Sequence, residues 1–123
     1  MGINPIEIPV TTTGGDGVAT GSAQTGEITP GELSALFIDY NGMPATTDVI
    51  VSDVGGNQLL FSAANLSADR MVFPRASAVD LNTGASFTAV GDAKYPVRGP
   101  IRVSVEQADA DAPGVTVTAY LVT

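Results

Sequence analysis

Hydrophobic residues return at every second position through much of this chain. Ile101, Val103 and Val105 alternate with Arg102, Ser104 and Glu106; Val115, Val117, Ala119 and Leu121 alternate with Thr116, Thr118, Tyr120 and Val122. A period of two is that of a strand with one buried face. The polar loop Asp109–Gly114 between the runs predicts an antiparallel strand pair. On that reading Arg102, Ser104, Glu106, Thr116, Thr118 and Tyr120 form one flat outer face.

The same period recurs towards the N-terminus. In Met1–Thr13, Ile6, Ile8 and Val10 alternate with Glu7, Pro9 and Thr11. Pro5 and Pro9 lack backbone donors, so this segment is an edge strand or an extended arm able to pair with a neighbouring subunit. Gly14–Gly17 is a turn by composition. Val18–Glu27 is a loop or a weak strand, with Gly21 and Ala23 leaving room for another backbone. Glu32–Tyr40 has Leu36, Ile38 and Tyr40 on one face and Leu33, Ala35 and Phe37 largely on the other, which predicts a strand buried on both sides. Asn41-Gly42 ends it in a turn. Residues 47–62 predict a hairpin around Gly55-Gly56-Asn57. Arg70–Arg75 is a short strand stopped by Pro74, with Ala76–Asp80 as a possible extension. A turn at Asn82-Thr83-Gly84, a strand at Phe87–Val90 and a turn at Gly91–Lys94 lead to the final pair. The sum is about eight or nine short strands and no long helix. We therefore expect an all-β chain: a single β-sandwich domain over 14–123, jelly-roll-like or immunoglobulin-like, with 1–13 as its arm or edge strand.

Charge changes this picture little, but it narrows the partners. The net charge is −8; residues 1–69 carry eight acids and no Lys or Arg, whereas residues 70–123 carry five of each sign. Nucleic acid and anionic membrane surfaces both call for clustered bases, so neither is expected as a partner. Met1–Val10 has neither a basic region nor an apolar run of the kind that marks a secretory signal, and no apolar run approaches the ~18 residues that cross a bilayer.

The candidate chemistry is sparse. There is no Cys and no His, which removes disulfides, thiol and serine triads and the commonest metal ligand. Calcium needs only oxygen ligands; Asp16 in GGDG and Asp109 and Asp111 in DADAPG are the candidates, although each is also an ordinary turn former. Asn65-Leu66-Ser67 fits a glycosylation sequon. Gly14–Gly26 lacks the Lys and the following helix of a phosphate loop. We expect no enzyme and no cofactor. Contact with partners is the function such a chain can carry. The candidates are Ile6, Ile8 and Val10 on the N-terminal segment, Arg70, Phe73 and Arg75 in RMVFPR, where Arg flanks an aromatic anchor, and Arg102 and Tyr120 on the outer face of the final pair.

Three segments add a resemblance. NPIEIPVTTTGGDGVATGSAQTGEI (Asn4–Ile28), IDYNGMPATTDVIV (Ile38–Val51) and PIRVSVEQADADAPGVTVTAYLV (Pro100–Val122) resemble small bacteriophage virion proteins that decorate or cement the capsid shell. The resemblance implies a β-rich homo-oligomer, with a trimer favoured, bound to the major capsid protein on the virion surface after synthesis in the host cytoplasm. It carries over no residue roles. Two other readings stand beside it: a carbohydrate- or calcium-binding module, and a head–tail or tail-fibre component.

Overall fold

Strand-forming alternation becomes alternate burial. In the computed structural model, which describes residues 2–76 and 93–123, Val115, Val117, Ala119 and Leu121 are all fully buried, and the residues between them are partly exposed. The strands are β1 (Ile3–Thr12), β2 (Ala19–Gln24), β3 (Gly31–Asp39), β4 (Asp48–Asp53), β5 (Gln58–Ala63), β6 (Arg70–Val72), β7 (Arg75–Ala76), β8 (Ala93–Lys94), β9 (Pro96–Val97), β10 (Ile101–Ala108) and β11 (Asp111–Val122). The described residues contain no helix. The turn and strand expected between 77 and 92 lie outside the described residues.

Two antiparallel sheets make a β-sandwich. One runs β1-β11-β3-β6, with β9 also paired to β3; the other runs β2-β10-β4-β5. Their inner faces share one core, in which Val10, Leu33, Leu36, Ile38, Val117 and Leu121 meet Val49, Val51, Ile101, Val103 and Val105. β7 and β8 form a separate two-stranded ladder. The expected all-β sandwich is the fold found, and the hairpin at 47–62 is present as β4 and β5, paired from Val49↔Ala63 to Asp53↔Gln58.

The final pair is not a hairpin. β10 lies between β2 and β4 in one sheet, and β11 lies between β1 and β3 in the other. The connection at Asp109–Ala110 crosses from sheet to sheet. Both strands turn their apolar residues into one core, as hairpin partners also would. Alternation identifies the buried face of a strand but says nothing of its lateral neighbour.

The two-sided character of Glu32–Tyr40 has a local cause. Leu33 lies opposite Leu121 and Ala35 opposite Tyr120, so Ser34 is an extra residue in β3. This bulge moves Leu33 to the same inward face as Leu36, Ile38 and Tyr40, all of them fully buried. Of its apolar residues only Ala35 and Phe37 remain on the outer face of that strand.

β1 is an edge strand of this chain's own sheet. Gly2 and Thr123 exchange both backbone hydrogen bonds, at 3.3 and 3.1 Å. The register stays constant from Ile3↔Val122 to Val10↔Val115. Even-numbered residues therefore bond to β11, and odd-numbered residues present their backbone to the free edge. Pro5 and Pro9 are both odd, so the free edge lacks a donor at each. An edge interrupted in this way is built against strand addition, and the pairing with a neighbouring subunit offered for this segment is opposed by its own prolines.

β2 returns beside β1 through a turn in which Thr13 and Thr20 bond each other at 2.9 and 3.0 Å. Gly21 then passes so close to Thr11 that a Cβ on Gly21 would collide with the Thr11 carbonyl. The room expected at Gly21 is thus occupied by β1, and the two sheets are joined at this corner.

Candidate functional site

The outer face of the five-stranded sheet is built by the residues that β1, β11, β3 and β6 turn away from the core. Cross-strand pairing sets them in rows. Pro5, Tyr120 and Ala35 form one row; Glu7, Thr118, Phe37 and Met71 form the next; Ile3, Val122 and Glu32 lie on the other side of Tyr120. Ile3 is 65% exposed, Met71 46%, and Phe73, just beyond β6, 62%. Tyr120, Phe37 and Val122 are half-buried among them. Apolar and aromatic groups cluster at Ile3, Val122, Tyr120, Ala35, Phe37 and Met71, while Thr118 and the row Pro9, Thr116 and Asp39 make the opposite end more polar, and Glu7 and Glu32 stand at the margins.

The outer face of the four-stranded sheet carries more polar groups. Its rows are Gln24, Arg102, Ser52 and Leu59, then Ser22, Ser104, Ile50 and Ser62, with Leu59 55% and Ile50 43% exposed as single apolar groups. Glu106 sits opposite Asp48, two like charges across one ladder position. The Asp48 carboxylate is held by the Asn65 amide at 3.0 Å and the Gln107 side chain at 3.2 Å. Two shallow depressions lie on this side, one over Asp48, Ile50, Ser62, Ser104 and Glu106 and a wider, more open one over Ser52, Asn57, Gln58, Leu59 and Arg102.

These two faces separate residues that the sequence places together. Arg102 lies on the hydrophilic face and Tyr120 on the apolar one, because β10 and β11 belong to different sheets. Ile8 and Val10, expected to meet a partner, are 3% and 0% exposed and sit in the chain's own core, with Ile6 partly buried against it. Arg75 donates to the Ser34 and Pro74 carbonyls at 3.1 and 2.7 Å, so it ties its own strand to the β3 bulge. Arg70 lies opposite Ile38 on β6, and its Nε is buried with no hydrogen-bond partner among the described residues. Of the candidate residues, Phe73 and Tyr120 remain on the apolar face. The residues missed there are Ile3, Phe37, Met71 and Val122. Their signal is an apolar side chain at the outward position of an alternating strand, where a solvated sheet carries polar groups.

Asp53 is the most deeply buried carboxylate described. It is fully buried at the end of β4 and accepts hydrogen bonds from Gly99 N at 2.7 Å, Arg98 N at 3.1 Å and Gln58 Nε2 at 3.0 Å. Burial alone would raise its pKa. The bonds from Arg98, Gln58, Gly99 and Gly56 outweigh that effect and hold the carboxyl below the usual range. With both oxygens occupied by turn backbone and Gln58, Asp53 fastens the β4–β5 turn to the approach to β10. It is not arranged to move a proton.

The calcium candidates are also engaged in turns. Asp109 Oδ1 accepts from Gly17 N at 2.9 Å; Asp111 accepts from Ala112 N at 2.8 Å through Oδ1 and from Asn41 Nδ2 at 3.1 Å through Oδ2. Thr12 Oγ1 joins the same knot, donating to the Asp109 carbonyl and accepting from Asp111 N. Among the described residues no group of three or more acids is placed to hold a metal ion. Tyr40, fully buried just past β3, has an OH with no partner among the described residues; burial raises its pKa and the charge of Arg70 partly opposes this. Comparison with protein-family models, curated proteins and solved structures finds no match to this chain.

Proposed function

We propose that this chain is a non-enzymatic structural protein of a bacteriophage virion, which binds the outside of the capsid and stabilises contacts between major capsid subunits. The observation that carries this reading is the difference between the two sheet faces. One is mainly polar, with Arg102, Asp48, Glu106 and several Ser around two separate apolar groups, Ile50 and Leu59. The other presents Ile3, Phe37, Met71, Phe73, Tyr120 and Val122 around Pro5 and Ala35. Apolar faces with aromatic and Met side chains and charges kept to the rim have the make-up of protein contact surfaces. The likeness of Asn4–Ile28, Ile38–Val51 and Pro100–Val122 to capsid decoration proteins supplies the partner: the major capsid protein. A decoration protein is present in many copies, so modest contacts at each are sufficient, all the more in a trimer.

The test is electron microscopy of particles of the virus that encodes the chain, with and without the purified protein added. Density on the outer shell at regular positions supports the reading, and bare shells at saturating protein overturn it. Light scattering of the free protein measures the oligomer, for which a trimer is expected.

A further inference from the structure

The turn between β3 and β4 holds the chain's one Asn-Gly pair, Asn41-Gly42. In such a pair the amide of the second residue carries no side chain to shield it, and it can attack the Asn carboxamide. The turn is closed by Met43 N donating to the Tyr40 carbonyl at 3.0 Å, and both central residues have positive φ, 49° at Asn41 and 70° at Gly42. Asn41 and Gly42 are exposed, and beyond Gly42 and its two chain neighbours no atom of the described residues lies within 4 Å of where a Cβ on Gly42 would stand. Water and base therefore reach the peptide.

The Asn41 side chain is nonetheless held. Its Nδ2 donates to Asp111 Oδ2 and to the Pro113 carbonyl, both at 3.1 Å. Both are acceptors only, so the nitrogen of the carboxamide must face them. Its backbone N–H donates to Asp39 Oδ1 at 2.9 Å. We propose that Asn41 is a site of spontaneous deamidation which the folded turn holds in check, and that the reaction unties the β3–β4 turn from the start of β11.

The step balances without a co-reactant other than water. Gly42 N loses its proton to solvent base and attacks Asn41 Cγ; the Cγ–Nδ2 bond breaks and ammonia leaves. The resulting cyclic imide adds water at either carbonyl and opens to aspartate or isoaspartate. Ring closure needs Cγ to approach Gly42 N, and the bonds from Nδ2 to Asp111 and Pro113 restrain that movement. The product puts a carboxylate where a donor stood. Asp111 Oδ2 and the Pro113 carbonyl lose their partner, and two carboxylates then face each other. The new charge adds to a chain already at −8.

The folded chain and the same chain held unfolded in urea are incubated at mildly alkaline pH, and Asn41 is followed by peptide mapping and mass spectrometry. The folded rate is expected to be about tenfold or more below the unfolded one, since it tracks local opening of the turn. Asp111→Ala should raise the folded rate towards the unfolded value. Equal folded and unfolded rates overturn the proposal, and so does a folded rate unmoved by Asp111→Ala. Asn41→Asp, which imitates the product, should lower the urea midpoint; a variant as stable as the parent shows that the reaction unties nothing.

Discussion

Asp53 ionises more readily in this fold than a free carboxylate, although it is buried, because four donors converge on it. The sign of the pH effect follows. Its folded pKa is depressed, so its contribution to stability is fully present above the unfolded value of about 3.9 and is lost as pH falls through the lower folded value. Asp53→Asn places an NH2 against backbone N–H groups and should cost about 2–4 kcal/mol at neutral pH. Urea unfolding of parent and variant at neutral and strongly acidic pH measures the gap between them. It should narrow below pH ~4, where the parent protonates and the variant does not change; a gap that is the same at both pH values assigns the cost to packing instead. Gly21 carries a second prediction at this scale. Gly21→Ala drives a Cβ into the Thr11 carbonyl and should cost about 2–4 kcal/mol, whereas Gly26→Ala, with open space around the new methyl, should stay within about 0.5 kcal/mol of the parent. Chemical denaturation of the two single variants compares them directly.

Each strand element is made from one buried face, and what sequence shows of it is that face alone. The sandwich, the β4–β5 hairpin, the edge position of β1 and the close approach at Gly21 were all legible, because each depends on local residues: alternation, a Gly-Gly-Asn turn, proline spacing, a missing side chain. The lateral neighbours of β10 and β11 were not. An apolar-in pattern is satisfied equally by a hairpin and by a connection that crosses the core, and the short Asp109–Ala110 link permits either. The bulge at Ser34 was hidden for a related reason: one inserted residue inverts the parity of all that follows it, so a one-sided strand reads as two-sided. The contact surface is scattered in the sequence for the same reason: alternation places Arg102 and Tyr120 on one face of a hairpin, whereas they stand on the outer faces of different sheets. Prolines on β1 were read correctly as an edge signal, and the register adds their purpose. Replacing Pro5 and Pro9 with Thr returns two donors to the free edge while leaving the bonds to β11 in place. The double variant should keep its unfolding midpoint yet associate with rising concentration, as seen by light scattering; a variant that stays as dispersed as the parent shows that some other feature guards the edge.

At the scale of the whole molecule, the sandwich has two outer faces that differ in their share of apolar groups, and the proposed function needs only one of them. The mainly polar face, with Arg102, Ser104 and the opposed Glu106 and Asp48, exposes only separate apolar groups at Ile50 and Leu59, which is ordinary for a solvated surface. The apolar face leaves Ile3, Met71 and Phe73 largely exposed around half-buried Tyr120 and Phe37. Removing such a surface from water is favourable by roughly 25 cal/mol per Å² of apolar area, with hot spots centred on the aromatic groups. A pair of substitutions separates the faces. Met71→Glu with Phe73→Ser changes side chains that the core does not use, so the fold should survive with a midpoint close to the parent's. Capsid occupancy should fall by about tenfold or more, the loss expected when more than about 1.4 kcal/mol of contact energy is removed at each site. Arg102→Ala on the opposite face should leave occupancy unchanged. Counting bound copies per particle by electron microscopy reads both variants in one experiment. If Arg102→Ala releases the protein and the Met71/Phe73 variant does not, the shell is met through the four-stranded sheet; if neither does, the flat faces are not the contact, and the loops at the ends of the sandwich must be.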